Sequence, residues 1–135
     1  MNLSVLVAAA TSALHPPAPA HSPQRDALLR RFLADPRAGS QPWTPALLKQ
    51  CVSAEADLLF PDGVAQVAEA CFDLMDREML AATDQFRSRR ISRRVRAAIM
   101  FRLEAATPHR AAIRQALAVL LVPTHARILA RTLGR

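Results

Sequence analysis

Four histidines, two cysteines and a dense run of arginines are the residues of this 135-residue chain whose chemistry invites a site. The histidines are scattered. His15 and His21 lie in a proline-rich leader, and His109 and His125 stand at the starts of predicted helices, where an imidazole caps a helix or is solvated. Cys51 and Cys71 are too few and too far apart for a metal quartet, and both read as reduced structural thiols. No Ser/His/Asp or Cys/His pattern, no H-E-x-x-H pair and no glycine-rich phosphate loop is present in the sequence. The reading is therefore of a protein without catalytic residues, metal ligands or a cofactor site.

The arginines carry more information. Residues 1–86 hold six Lys and Arg against ten Asp and Glu, net −4, while residues 87–135 hold twelve Arg against the single Glu104, net +11. Such polarity suits an anionic membrane surface, an acidic partner or nucleic acid. Arg89, Arg90, Arg93 and Arg96 cluster on one face of a predicted helix and admit three readings: a solvated face, a contact with anionic lipid or an acidic partner, or a contact with nucleic acid. Arg102 differs, because on a helical wheel it falls amid Ile91, Val95, Ala98 and Ile99. An unpaired buried guanidinium is costly. Glu78 lies at the apolar edge of the preceding helix, so the sequence predicts a structural Glu78–Arg102 ion pair.

These residues need helices to position them. Alanine, leucine and arginine dominate, tyrosine is absent and glycine occurs at three positions, which predicts an all-α protein. At this length a compact domain buries roughly two-thirds of the surface of its unfolded chain. Residues 1–23 read as a disordered leader ending in the extended segment HPPAPAHSP. Their apolar start and Ala18-Pro19-Ala20 imitate a signal peptide without its positive n-region. Residues 24–63 read as short helices in a helix-turn-helix-like arrangement. Ser22 caps and Pro23 opens the first, with the stripe Leu28, Leu29, Phe32 and Leu33, and Asp35-Pro36 ends it. Arg37 to Pro42 reads as a connector, Thr44-Pro45 opens a second helix, and Ser53 starts a third that stops at Phe60-Pro61-Asp62-Gly63.

Residues 64–135 read as longer helices that form one compact unit with 24–63. From Val64 to about Thr83, the residues Val64, Val67, Ala68, Cys71, Phe72, Met75 and Met79 share one arc, with Glu69, Asp73 and Asp76 opposite or at its edge. A basic helix follows, Thr107-Pro108 breaks it, and a largely apolar helix runs to Pro123. Thr124 then caps a last segment whose Ile128, Leu129 and Leu133 require a core. The faces containing Phe72, Met75, Met79, Val95, Ile99, Leu103, Leu117, Leu120 and Leu121 read either as a packed core or as the lining of a lipid cavity, since methionine and aliphatic side chains adapt to a long hydrocarbon. No apolar run approaches the ~18 residues that span a bilayer.

Four separated signatures follow one another along the chain: Trp43-Thr44; Leu59-Phe60-Pro61-Asp62-Gly63; Arg94-Val95-Arg96 with Arg102-Leu103-Glu104; and Pro108-His109-Arg110 with Ala116-Leu117-Ala118-Val119-Leu120 and Pro123. Over residues 25–132 they resemble the accessory lipid-binding protein family of ubiquinone biosynthesis, coenzyme Q protein nine. The resemblance implies a fold similar to the tetracycline-repressor (TetR) class of helical regulators, without DNA binding. It further implies a homodimer that holds an isoprenoid or quinone lipid, lies in the cytoplasm peripheral to the inner membrane, and presents quinone precursor to the di-iron demethoxyubiquinone hydroxylase. It also gives Arg102 a second reading, contact with a quinone head group. The pattern departs from the family in the shorter interval between Trp43 and Phe60, in Pro42 where glycine is common, and after Thr132, where the family continues; the chain therefore reads as a short or truncated form.

The main alternative is a DNA-binding regulator of the TetR type. Its recognition helix would lie near residues 53–60, where Glu55 and Asp57 are the only charged residues and would repel phosphate. A poorly folding fragment without function is the third reading.

Overall fold

In the computed structural model the described residues are 3–4, 19–83, 85 and 90–134; most of the leader and Arg89 lie outside them. These residues form helices and connecting turns, with no strand among them, so the protein is all-α.

Proline and a preceding acceptor start the early helices. Helix α1, Pro23–Ala34, begins where the Ser22 hydroxyl accepts from the Arg25 amide at 3.1 Å, and it buries Leu28, Leu29 and Phe32. Asp35, extended before Pro36, ends α1 and caps the next element by accepting from the Arg37 amide at 2.9 Å. That element is helix α2, Pro36–Ser40, where the sequence suggested a connector. Five residues are too few to display a helical period, and the cap decides instead. Ala38 is fully buried, and its carbonyl accepts from the Trp43 indole at 2.8 Å while Trp43 meets Phe32 edge to face at 4.8 Å.

Helix α3, Pro45–Val52, opens as expected on Thr44, whose hydroxyl accepts from the Leu47 amide at 3.1 Å. Ser53 does not start the following helix. It closes α3 in the left-handed region (φ 69°), and α4, Glu55–Leu59, begins without a side-chain cap. Gly63 takes φ 89° in the turn after Pro61, which a side chain would resist.

Helix α5, Val64–Thr83, is the axis of the fold and packs against α1 and against every helix that follows it. Its first half is buried nearly all round, through Ala65, Val67, Ala68, Glu69, Ala70 and Cys71. Helix α6, Ile91–Ala106, lies along α5; the turn Thr107–His109 leads to α7, Arg110–Leu120, and the turn Pro123–His125 leads to α8, Ala126–Leu133. Thr124 does not cap α8, because the 3-10 turn places His125 at that position. The largest fully buried side chains, Phe32, Phe60, Leu28, Leu29, Leu120, Val52 and Val67, join residues from both sides of Gly63 in one core.

Candidate functional site

Helix α6 contributes no buried residue. Arg94, Ala97, Ala98, Phe101 and Arg102 are half-buried against the body, whereas Ile91, Val95, Ile99 and Leu103 are 53–71% exposed. The helix is therefore turned by roughly a quarter-turn from the orientation its apolar stripe suggested. Val95, Ile99 and Leu103 do not line an interior cavity but form an open apolar flank. Arg93, Arg96 and Met100 border that flank on the solvent side, where they surround a shallow depression. The arginines Arg90, Arg93, Arg94 and Arg96 have no carboxylate partner among the described residues, and of these Arg90, Arg93 and Arg96 are exposed.

On the inner side of α6, Arg102 makes an ion pair with a different partner from the one expected. Its Nη2 lies 3.1 Å from Asp76, while Glu78 pairs with Arg30 of α1 at 3.1 Å. Two positions along α5 rotate a side chain by more than half a turn, so Asp76 faces α6 and Glu78 faces α1. The Glu78–Arg102 pair is thus replaced by Asp76–Arg102. The second Arg102 nitrogen, Nη1, is out of contact with solvent and has no hydrogen-bond partner among the described residues.

Arg102 and Asp76 edge a pocket of about 260 Å³ whose apolar wall comes from Phe72 of α5, Leu117 and Leu120 of α7, and Leu129 of α8. Three of the nine expected lining residues, Phe72, Leu117 and Leu120, meet here. Met75 and Met79 are half-buried elsewhere on α5, and Leu121 is 67% exposed just beyond the end of α7.

The wall supplied by α8 rests on a contact the sequence did not disclose. Glu69, expected opposite the apolar arc of its helix, is 3% exposed, and both its oxygens accept from Arg131 at 2.9 and 2.6 Å. The pairing partner is 62 positions away, and the period of α5 carries no sign of it. Ile128 and Leu129 pack on the core beside this pair, whereas Leu133 remains 73% exposed at the edge of the pocket.

The other chemistry-bearing residues are structural in their contacts. His109 and His125 each place Nδ1 near a backbone carbonyl, those of Leu33 at 3.3 Å and Val119 at 2.8 Å. Cys71 is free and buried, and burial pushes its thiol up to about 12; Cys51 is half-buried, with its thiol also raised by burial and by Asp35. Among the described residues no group of three or more His, Cys, Asp or Glu side chains is placed to hold a metal ion.

No family model, no curated protein and no solved structure matches this chain.

Proposed function

We propose that this protein is a non-catalytic lipid-binding accessory factor that works at an anionic membrane surface, with α6 as its contact helix. The observation that carries the reading is the outward flank of α6. There Ile91, Val95, Ile99 and Leu103 are exposed beside arginines that no carboxylate neutralises among the described residues. A helix with an apolar flank and a basic border lies in the plane of a lipid interface, its aliphatic side chains in the acyl boundary and its arginines at the head groups. Near an anionic leaflet each of the exposed Arg90, Arg93 and Arg96 contributes about 1 kcal/mol, enough for the three to give reversible attachment.

Other occupants fit this face less well. A second copy would set arginine against arginine, so the homodimer that the resemblance implies would use another surface. Phosphate of nucleic acid matches the arginines but not the aliphatic flank. In α4, where the regulator alternative needs a recognition helix, Glu55 and Asp57 already hold Arg31 at 3.7 Å and Lys49 at 3.2 Å. Among the described residues no single helix is long and apolar enough to cross a membrane.

The cargo and pathway in this reading rest on the resemblance to the coenzyme Q protein nine family. They are an isoprenoid or quinone lipid, presented to the di-iron demethoxyubiquinone hydroxylase at the cytoplasmic face of the inner membrane, by a TetR-like fold. Flotation with phosphatidylcholine vesicles, with and without phosphatidylglycerol, tests the surface. Attachment is expected to rise with the anionic fraction, to weaken with salt, and to be lost in Ile99→Asp, which leaves the core untouched. Flotation indifferent to anionic lipid, or unchanged in Ile99→Asp, would overturn it. Solvent extracts of the purified protein that lack any isoprenoid lipid would remove the cargo from the reading, and sequence-dependent duplex binding would favour the regulator instead.

A further inference from the structure

Two of the exposed arginines of α6 form a local arrangement as well as part of a wider field. Arg93 and Arg96 stand three positions apart, and with Ala97 and Met100 at the following positions of the same face they surround the shallow depression on the solvent side of the helix. Ala97, the smallest of the four and half-buried, leaves the hollow between the two long side chains. Neither arginine has a carboxylate partner among the described residues. Residues at this spacing are neighbours on a helix, and like charges so placed repel. Glu104, the single acidic residue after position 86, lies eight positions beyond Arg96, about 12 Å along the axis, too far to compensate the pair.

Two adjacent guanidinium groups are best matched by an anion that concentrates its charge on one centre. A phosphomonoester carries about −1.5 to −2 charges near neutral pH and three terminal oxygens, which suits two planar N–H forks at once. A phosphodiester carries a single charge, so it satisfies one arginine and leaves the other bare. Each phosphate of a nucleic acid is likewise a diester. The neighbouring surface decides where the phosphate comes from. Arg96 adjoins Ile99 and Leu103, which are 53% and 56% exposed, so a head group held in the depression has its acyl chains beside an apolar flank.

We infer that Arg93 and Arg96 form a head-group site on α6 that takes lipid phosphomonoesters in preference to phosphodiester lipids. The inference rests on the proposed attachment to an anionic membrane surface and deepens it by naming the head group.

The test floats the full chain at neutral pH with phosphatidylcholine vesicles that contain either phosphatidic acid, a monoester, or phosphatidylglycerol, a diester, in amounts adjusted to equal zeta potential. Phosphatidic acid vesicles are expected to bind about tenfold more tightly, the worth of one charge-assisted hydrogen bond. Arg93→Gln and Arg96→Gln are each expected to bring phosphatidic acid down to the level of phosphatidylglycerol. Arg90→Gln removes an exposed charge of the same helix that does not border the depression, and it is expected to weaken both vesicles alike. All three replacements are at exposed positions, and circular dichroism checks their folding. Equal attachment to the two vesicles, or a preference unchanged in Arg93→Gln and Arg96→Gln, would overturn the head-group site while attachment to an anionic surface stands. Soluble glycerol 3-phosphate is expected not to compete; displacement of the chain at concentrations near that of the lipid would overturn the lipid as the source of the phosphate. Attachment to neither vesicle would overturn the head-group site and the surface together.

Discussion

Asp26 and Asp35 are kept ionised by arginines in two different geometries. Arg77 reaches from α5 to take both oxygens of Asp26 at 2.8 and 2.9 Å, and its Nε donates to Asp73 at 2.8 Å. Those hydrogen bonds hold the Asp26 carboxyl below its ordinary value, and the side chain and amide of Arg37 hold Asp35 well below the usual carboxylate range. Each carboxylate thus binds its proton less readily folded than unfolded. The stabilisation is complete above the ordinary value of 3.8 and is lost as the pH falls from there toward the depressed values. Urea midpoints measured against pH are expected to fall on the acid side of about pH 4, and the fall to be shallower in Asp26→Asn. A midpoint that stays level down to pH 3 would show that these pairs do not stabilise the fold.

Helices α2 and α7 meet through small residues. A Cβ placed on Gly39 would stand 2.8 Å from the Ala111 Cβ and 3.4 Å from the Ala112 amide nitrogen. Gly39→Val adds bulk where two backbones touch, and it is expected to lower the unfolding free energy by about 2 kcal/mol in urea titrations. Without that contact the change would be neutral or stabilising, because valine is the better helix former. This meeting was invisible in the sequence, as was α2 itself. What local chemistry governs was legible: Ser22-Pro23, Thr44-Pro45 and Thr107-Pro108 mark helix boundaries, and α5 runs from Val64 to Thr83 as its period indicates. Periodicity reports which residues share a face but not which neighbour covers that face. For this reason the rotation of α6, the partner of Arg102 and the burial of Glu69 all had to come from the packing.

Across the whole molecule the acidic and basic halves are stitched together at Asp76–Arg102 and Glu69–Arg131. The two arginines used there face inward, and Arg93 and Arg96 on α6 are exposed, so the basic half is divided between internal ties and an external field. Phe72 of α5 and Leu117 and Leu120 of α7 line one pocket, whereas Val95, Ile99 and Leu103 of α6 form an exposed flank. The apolar stripes of α5, α6 and α7 thus serve two surfaces, which a wheel drawn for each helix alone cannot separate.

A helix that places no side chain in the core can be lifted away without breaking the core. The amides of α6 are therefore expected to form an exchange unit of their own, trading hydrogen for deuterium through a local opening, while amides 67–74 of α5 exchange only when the whole chain unfolds. Mass spectrometry of deuterated peptides measures the two rates separately, and equal protection of both helices would contradict it. On anionic vesicles the gap should narrow, since a docked α6 must leave the membrane before it can open.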